Sequence, residues 1–285
     1  MRRGLQGLAV KADQVFSVRD YGVIVTGGAS GIGLGYAEAL ATNGAQVTIL
    51  DLDPQGIDRE TRRLKAAGLR VRGEVVDVCD HLALDHAFDA ALAAHGRLDV
   101  VFANAGIDPG PGFMRASVGS GAERNPEGMM ERYTDERWNH VIDVNLNGIF
   151  ATLRSGARLM RPQRSGRMIV TTSVAAYMCG TLIGAAYTVA KAGAAHLMRQ
   201  VALELAAYNI SVNAIAPGFF VTNIGGGHSK DPGLQAELSK VIPMHRVGFP
   251  ADMAGLALFL ASPASDYITG QQISIDGGWT LGTAD

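Results

Sequence analysis

Tyr187 and Lys191 stand four residues apart in the alanine-rich run from Tyr187 to Tyr208, a spacing that puts both side chains on one face of a helix. A phenol with a pKa of about 10 is a weak base at neutral pH. A neighbouring ammonium stabilises the phenolate and draws that pKa toward the working range, so the pair can exchange a proton with an alcohol. Taken alone, such a pair is most often an ordinary exposed helical contact. Its meaning depends on what surrounds it.

The second chemical signal lies near the N-terminus. Thr26-Gly27-Gly28-Ala29-Ser30-Gly31-Ile32-Gly33 follows the β-branched run Val23-Ile24-Val25 and opens the helical stretch Leu34 to Asn43. Glycines there permit a tight turn and let a pyrophosphate approach the helix N-terminus, whose amides and dipole favour anions. Asp51, followed by Leu52, ends the next strand-like run eighteen positions after Gly33. A carboxylate at that place accepts hydrogen bonds from both adenosine ribose hydroxyls and repels a 2′-phosphate. No Arg or Lys occupies the glycine loop or directly follows Asp51. The cofactor expected is therefore NAD rather than NADP.

These residues need a scaffold, and the alternation of the chain predicts one. Strand-like runs at Val23–Val25, Gln46–Leu50, Val71–Val76, Leu98–Ala103, Arg167–Thr172 and Ile210–Ala214 alternate with helical stretches at Leu34–Asn43, Pro54–Ala67, Ala83–Ala94, Asn139–Met160 and Tyr187–Tyr208. That rhythm predicts βαβ units in an α/β fold: one doubly wound, Rossmann-type parallel sheet with helices on both faces, spanning 1–285 as a single domain. Residues 1–18 lack a period and are expected to form an N-terminal arm on the surface. Ile107 to Asp135 contains five glycines and three prolines and interrupts the rhythm as an insertion, either a surface excursion or a lid over the substrate. The segment 223–248, with Gly225-Gly226-Gly227, is expected to be a mobile substrate loop.

Bulk properties exclude other classes. A formal charge of −2 gives no basic surface for nucleic acid or anionic membranes. Cys79 and Cys179 form no CxxC pair, and the seven histidines show no HExxH or paired spacing, so neither a disulfide scaffold nor a metal site is expected. With no apolar run long enough to span a bilayer and no signal-peptide pattern, a soluble cytoplasmic protein is expected.

Together these motifs resemble the short-chain dehydrogenase/reductase family, classical type, from about Tyr21 to Trp279. Thr26 to Gly33 matches its TGxxxGIG loop. Ala103-Asn104-Ala105-Gly106 is similar to its NNAG element, with Ala in place of the first Asn. Tyr187 and Lys191 match YxxxK, with Ser173 fourteen residues upstream where thirteen is usual. Pro217-Gly218-Phe219-Phe220-Val221-Thr222 matches PGxxxT, and Thr269-Gly270-Gln271 with Asp276-Gly277-Gly278 completes the pattern.

The resemblance implies a catalytic set of Ser173, Tyr187, Lys191 and Asn145. Ser173 would hydrogen-bond the substrate oxygen beside Tyr187, Lys191 would also bond the nicotinamide ribose, and Asn145 would hold a water in the proton relay. It further implies cofactor contacts at Gly27, Ser30, Gly31, Ile32, Gly33, Asp51, Leu52, Asp77, Val78, Asn104, Ala105, Gly106, Pro217, Gly218, Phe220 and Thr222, the Asp77-Val78 pair at the adenine. A homotetramer is expected on the same ground. The function expected is an NAD-dependent interconversion of a secondary alcohol and its ketone, with a small-molecule substrate. Two alternatives stay open: an NADP-linked 3-oxoacyl-carrier reductase, and a non-catalytic dinucleotide-binding protein. Enoyl reduction fits less well, because that branch spaces its Tyr and Lys more widely.

Overall fold

The structure, a computed structural model, describes residues 11–107, 110–114, 123–223, 227 and 229–282. Its centre is a parallel sheet of seven strands in the order β3-β2-β1-β4-β5-β6-β7. The strands are β1 Gly22–Thr26, β2 Gln46–Asp51, β3 Val71–Val75, β4 Val100–Ala103, β5 Gly166–Thr171, β6 Ile210–Pro217 and β7 Gln272–Ile275. The order reverses between β1 and β4, the point where a doubly wound sheet opens a crevice at the carboxyl ends of its strands. Val25 pairs there with Ile49 of β2 on one side and Phe102 of β4 on the other.

Nine helices accompany the sheet: α1 Ala12–Val15, α2 Gly31–Thr42, α3 Pro54–Ala66, α4 His81–His95, α5 Asp135–Ile142, α6 Gly148–Gln163, α7 Ala185–Leu205, α8 Pro232–Val241 and α9 Ala254–Ala261, counted among the described residues. Because strand side chains alternate, the core divides into two layers. Ile24, Val101, Ala103 and Val170 face α4, α6 and α7, meeting Leu84, Phe88, Leu153, Met160 and Met198. Val23, Val25, Val100, Phe102 and Ile169 face α2, α3 and α9, meeting Tyr36, Leu40, Ile57, Leu64 and Leu260. Both faces of the central strands are buried, which is why they read as unbroken apolar runs.

Three expectations change in detail. The arm is anchored at its end: Val18 is fully buried in the second layer and the Phe16 ring lies 6.4 Å from that of Phe259. Residues 1–10 lie outside the described residues. The single helix expected over Asn139–Met160 is interrupted at Asp143–Asn147 by a π-helical turn joining α5 to α6. The 223–248 segment contains α8, whose N-terminus is capped by Asp231 accepting from the Leu234 amide at 3.0 Å, whereas Gly225 and Gly226 lie outside the described residues.

The described part of the insertion is tied to the segment before α7. Pro111 bridges Ile183 in antiparallel fashion, and the amides of Gly112 and Met114 donate to the carbonyls of Leu182 and Thr181 at 3.2 and 3.1 Å. Arg137, in the first turns of α5, fastens it from the other side. Its guanidinium donates to the Pro111 carbonyl at 3.0 Å and the Glu127 carbonyl at 2.7 Å, and lies 4.1 Å from the centroid of the Tyr133 ring.

Candidate active site

The switch point opens into one cleft of about 1290 Å³, and every candidate site residue named from the sequence lines it. This exceeds the roughly 300–1,000 Å³ that holds one drug-sized ligand, and suits two molecules side by side.

The glycine loop supplies the first wall. Gly27 (φ +64°) and Gly31 (φ +53°) lie in the left-handed region that favours glycine. A Cβ on Gly27 would stand 2.8 Å from the Ala105 Cα, and one on Gly33 would strike the Gly27 carbonyl. α3, α4, α5 and α8 are each capped by an Asp or Thr side chain, whereas Ser30 makes no side-chain cap at α2 and no acidic residue stands in its first turn. The N-terminus of α2 thus faces the cleft without a carboxylate of its own, the electrostatic arrangement that receives a phosphate.

Asp51 fixes the shape of this wall. One carboxylate oxygen accepts from the Ala29 amide at 2.9 Å and the other from the Asp53 amide at 3.1 Å. Asn104 is a node between strand ends. Its amide nitrogen donates to the Thr26 and Gly27 carbonyls at 3.0 and 3.1 Å, and its oxygen accepts from the Thr171 hydroxyl at 3.0 Å. Asn104 therefore joins β1, β4 and β5 through its side chain. Asp77 accepts from the Cys79 amide at 2.9 Å, holding the turn that brings Val78 to the cleft. Burial, reinforced by the Asp77 carboxylate, pushes the Cys79 thiol up to about 11, so it stays protonated.

The candidate proton-transfer groups gather at the ends of β4 and β5. Lys191 is only 3% exposed; its ammonium donates to the Thr171 carbonyl at 3.0 Å and sits 5.4 Å from the centroid of the Tyr187 ring. Burial lowers its pKa to about 8. Ser173 accepts from the Ala175 amide at 3.1 Å, which leaves its hydroxyl proton as a donor for the cleft. Asn145 lies in the π-helical turn and is fully buried. It donates to the Val141 carbonyl at 3.1 Å and accepts from the Ile107 amide at 3.3 Å. A Cβ on Gly106 would fall 2.8 Å from the Asn145 oxygen and 3.5 Å from the Lys191 nitrogen, so glycine alone leaves these two groups room.

Beyond β6, a Cβ on Gly218 would stand 2.7 Å from that of Asp276. Ser229 closes the next turn, accepting from the Thr222 amide and donating to its carbonyl, both at 2.9 Å. The cleft also has walls that motif reading did not name: Thr181, Leu182 and Ile183 ahead of α7, Leu234 and Leu238 on α8, and Trp279. The i,i+4 leucines of α8 were the available signal. Among the described residues, no group of three or more His, Cys, Asp or Glu side chains could hold a metal, and no helix is long and apolar enough to cross a membrane.

Comparison with known proteins follows the same lines. A family model described as enoyl-(acyl carrier protein) reductase matches residues 27–280. The 3-oxoacyl-[acyl-carrier-protein] reductase FabG of Chlamydia pneumoniae is 35% identical over 258 residues, 90% of this chain and 96% of that one. The chain belongs to the short-chain dehydrogenase/reductase family. It is accordingly an oxidoreductase working with a nicotinamide dinucleotide. The NADPH-dependent 3-quinuclidinone reductase of Rhodotorula rubra matches at a TM-score of 0.81 and 32% identity, over 98% of both chains. A structure from Beutenbergia cavernae assigned as an NAD(P)-dependent gluconate 5-dehydrogenase, with NADP bound at low occupancy, matches at a TM-score of 0.80 and 32% identity, over 93% of this chain and 99% of that one. Members this similar carry different substrate names, so the family fixes the reaction type and leaves the substrate to local residues.

Lys191 gives this dehydrogenase/reductase a measurable pH signature. The unfolded chain keeps the ordinary lysine value of 10.5, while the folded protein releases this proton from about 8. Between those values the unfolded state binds more protons, so the Lys191 contribution rises with pH across the window and is constant below it. The unfolding free energy of the cofactor-free wild type minus that of Lys191→Met should therefore climb from pH 8 toward 10.5, by up to about 3 kcal/mol. Denaturant titrations of both proteins at stepped pH measure it, and a difference that stays flat or falls contradicts the assignment.

Proposed function

We propose that the protein interconverts a secondary alcohol and its ketone with NAD, using Tyr187 as the acid/base. The observation that carries this reading is the buried Lys191 ammonium beneath the Tyr187 ring, in the cleft that also presents the α2 N-terminus. In the proposed complex, Gly27, Ser30, Gly31, Ile32 and Gly33 hold the pyrophosphate. Asp51 and Leu52 receive the adenosine ribose, and Asp77 and Val78 border the adenine. Asn104, Ala105 and Gly106 would border the adenosine side, and Pro217, Gly218, Phe220 and Thr222 would complete the cofactor contacts.

When bound, NAD would supply the hydride acceptor for oxidation of the carbinol and, once reduced, the hydride donor for the reverse reaction. During oxidation the Tyr187 phenolate takes the hydroxyl proton, and the Ser173 hydroxyl donates to the same substrate oxygen. Lys191 stabilises the phenolate by its charge and bonds the nicotinamide ribose. Asn145, fixed against Ile107, holds the water that carries the proton onward. Reduction runs these transfers in reverse.

The preference for NAD rests on charge. Among the described residues lining the cleft, Lys191 is the sole Lys or Arg, and it belongs to the chemical end. A 2′-phosphate would meet the Asp51 carboxylate with no cation to offset it. The names of the relatives favour the second reading, NADP-linked reduction of a 3-oxoacyl group on a carrier. Assays of secondary alcohols with each oxidised cofactor, and of an acetoacetyl thioester with each reduced one, separate the two. NAD should exceed NADP in kcat/KM by at least about tenfold, and Asp51→Ser should narrow that gap. Activity with NADP alone would refute the Asp51 argument.

Tyr187→Phe should lower kcat by roughly a hundredfold or more while NAD binding, followed by calorimetry, changes little. Wild-type turnover in that variant excludes the mechanism. The non-catalytic reading requires that neither protein turn over.

We further infer a homotetramer, since α6 and α7 expose Phe150, Val189 and Leu203 as apolar surface for pairing copies. Size-exclusion chromatography with light scattering should return four times the 29.9 kDa chain mass; a monomer mass rejects it.

A further inference from the structure

We propose that the substrate is an uncharged, predominantly apolar alcohol or ketone, without carboxylate or phosphate. The inference rests on the reading of the cleft as an alcohol/ketone site and names the class of molecule that this site accepts.

Sheet order divides the cleft. Asp51 ends β2 and Asp77 follows β3 on one side of the switch point, while Asp143, in the π-helical turn after β4, also lines the cleft. Asp51 and Asp77 therefore belong to the adenosine half of the cleft. The opposite half, built from segments after β5, β6 and β7, is lined by Leu182, Ile183, Phe219, Leu234, Leu238 and Trp279, together with the uncharged polar Ser173, Thr181, Asn223 and Ser229. Among the described residues, no Asp, Glu, Lys or Arg from this half lines the cleft apart from Lys191. The Lys191 ammonium is committed to the Thr171 carbonyl and the Tyr187 face.

Among the described residues, the arginine nearest the insertion wall is turned away from the cleft, and His140 lines it from α5. Arg137 donates to the Pro111 and Glu127 carbonyls and covers the Tyr133 ring, and it does not line the cleft. The backbone of the insertion wall is likewise satisfied within itself, with Gly112 bonded to Leu182 and Met114 to Thr181. This pairing fixes the position of Leu182 and Ile183, with Thr181 beside them, at the cleft. Among the described residues an anion there would shed water and gain no cationic partner, whereas an apolar group would gain from burial.

A dead-end binding experiment tests this independently of turnover. The full chain loaded with NAD is titrated calorimetrically with ethyl 4-oxocyclohexanecarboxylate and, separately, with 4-oxocyclohexanecarboxylate. The ester should bind about a hundredfold tighter or more, the acid's penalty being an unpaired buried charge. Binding of the acid as tight as that of the ester, or of neither compound, overturns the proposal. Leu238→Arg should close most of the gap by supplying the missing cation. If circular dichroism finds that variant unfolded, Leu182→Arg, at a position already 43% exposed, takes its place. An unaltered gap in a folded arginine variant also overturns the proposal. Reduction of the ester by NADH is followed separately: tight ester binding without reduction sinks the hydride-transfer reading and leaves the apolar pocket standing, while reduction of the acid in preference to the ester does the opposite.

Discussion

A lysine ammonium kept almost entirely out of water is the constraint around which this site is built. Burial favours the neutral amine, as the lowered Lys191 pKa records. The charge is useful only where an anion forms close by, and in the proposed mechanism the Tyr187 phenolate, on the same helix face, is that anion. Holding the pair at the end of β5 requires α7 to run close against the sheet. Ala186, Ala190, Ala194, Ala195 and Ala202, all buried on that helix, make the close approach possible. The alanine richness of the helix is thus a packing requirement with a chemical consequence. Gly106 answers the same constraint from the β4 side, since any side chain there would enter the space between Asn145 and Lys191.

The second organising feature is the reversal of strand order between β1 and β4. It separates the loops after β1 and β4 so that a ligand can lie across both, but it also leaves two strand ends to be held together. Asn104 and Thr26 do this. Thr26 donates to the Phe102 carbonyl and accepts from the amides of Asn104 and Ala105, while Asn104 reaches back to β1 and across to β5. Asn104, expected either to steady the sheet or to border the adenosine side of a cofactor, is a structural tie. By spanning three strand ends it sets the distance between the glycine loop and the Lys191 site.

Much of this was legible in the sequence where local pattern and tertiary role coincide. The β1 run, its glycine loop and the terminal aspartate of β2 can be read in order because each is a local feature. Tyr187 and Lys191 can be read from helical spacing. β7 escaped notice because Gln272–Ile275 is a four-residue edge strand, recognisable only by its pairing with β6. α9 is Ala-Gly-Leu-Ala-Leu-Phe-Leu-Ala, apolar at nearly every position, so it carries no helical period to detect. The π-helical turn at Asp143–Asn147 was hidden because the sequence pattern continues through it. Its side-chain reason is tertiary, with the buried Asn145 amide bonded to Ile107. The apolar wall at Leu182 and Ile183 exists only through the fold as well, since residues 111–114 must pair with 181–183 before those side chains face the cleft.

Cofactor preference shows why family membership and local electrostatics answer different questions. Structures that share this sheet include an NADPH-dependent reductase and one holding NADP, so the fold accommodates a phosphorylated ribose. Whether this chain does so turns on a few atoms at the end of β2. Asp51 is not free to swing aside at no cost, because both of its oxygens already accept backbone amides, one from the glycine loop and one from the turn before α3. Moving it to admit a phosphate would release the Ala29 amide and loosen the loop that carries the pyrophosphate. Under the proposed NAD preference the carboxylate would act twice: its charge would oppose a 2′-phosphate, and its hydrogen bonds would resist the rearrangement that lessens that opposition. A substitution at Asp51 must be read with both effects in mind, since a gain in NADP use bought by a disordered glycine loop would appear with weaker binding of either dinucleotide.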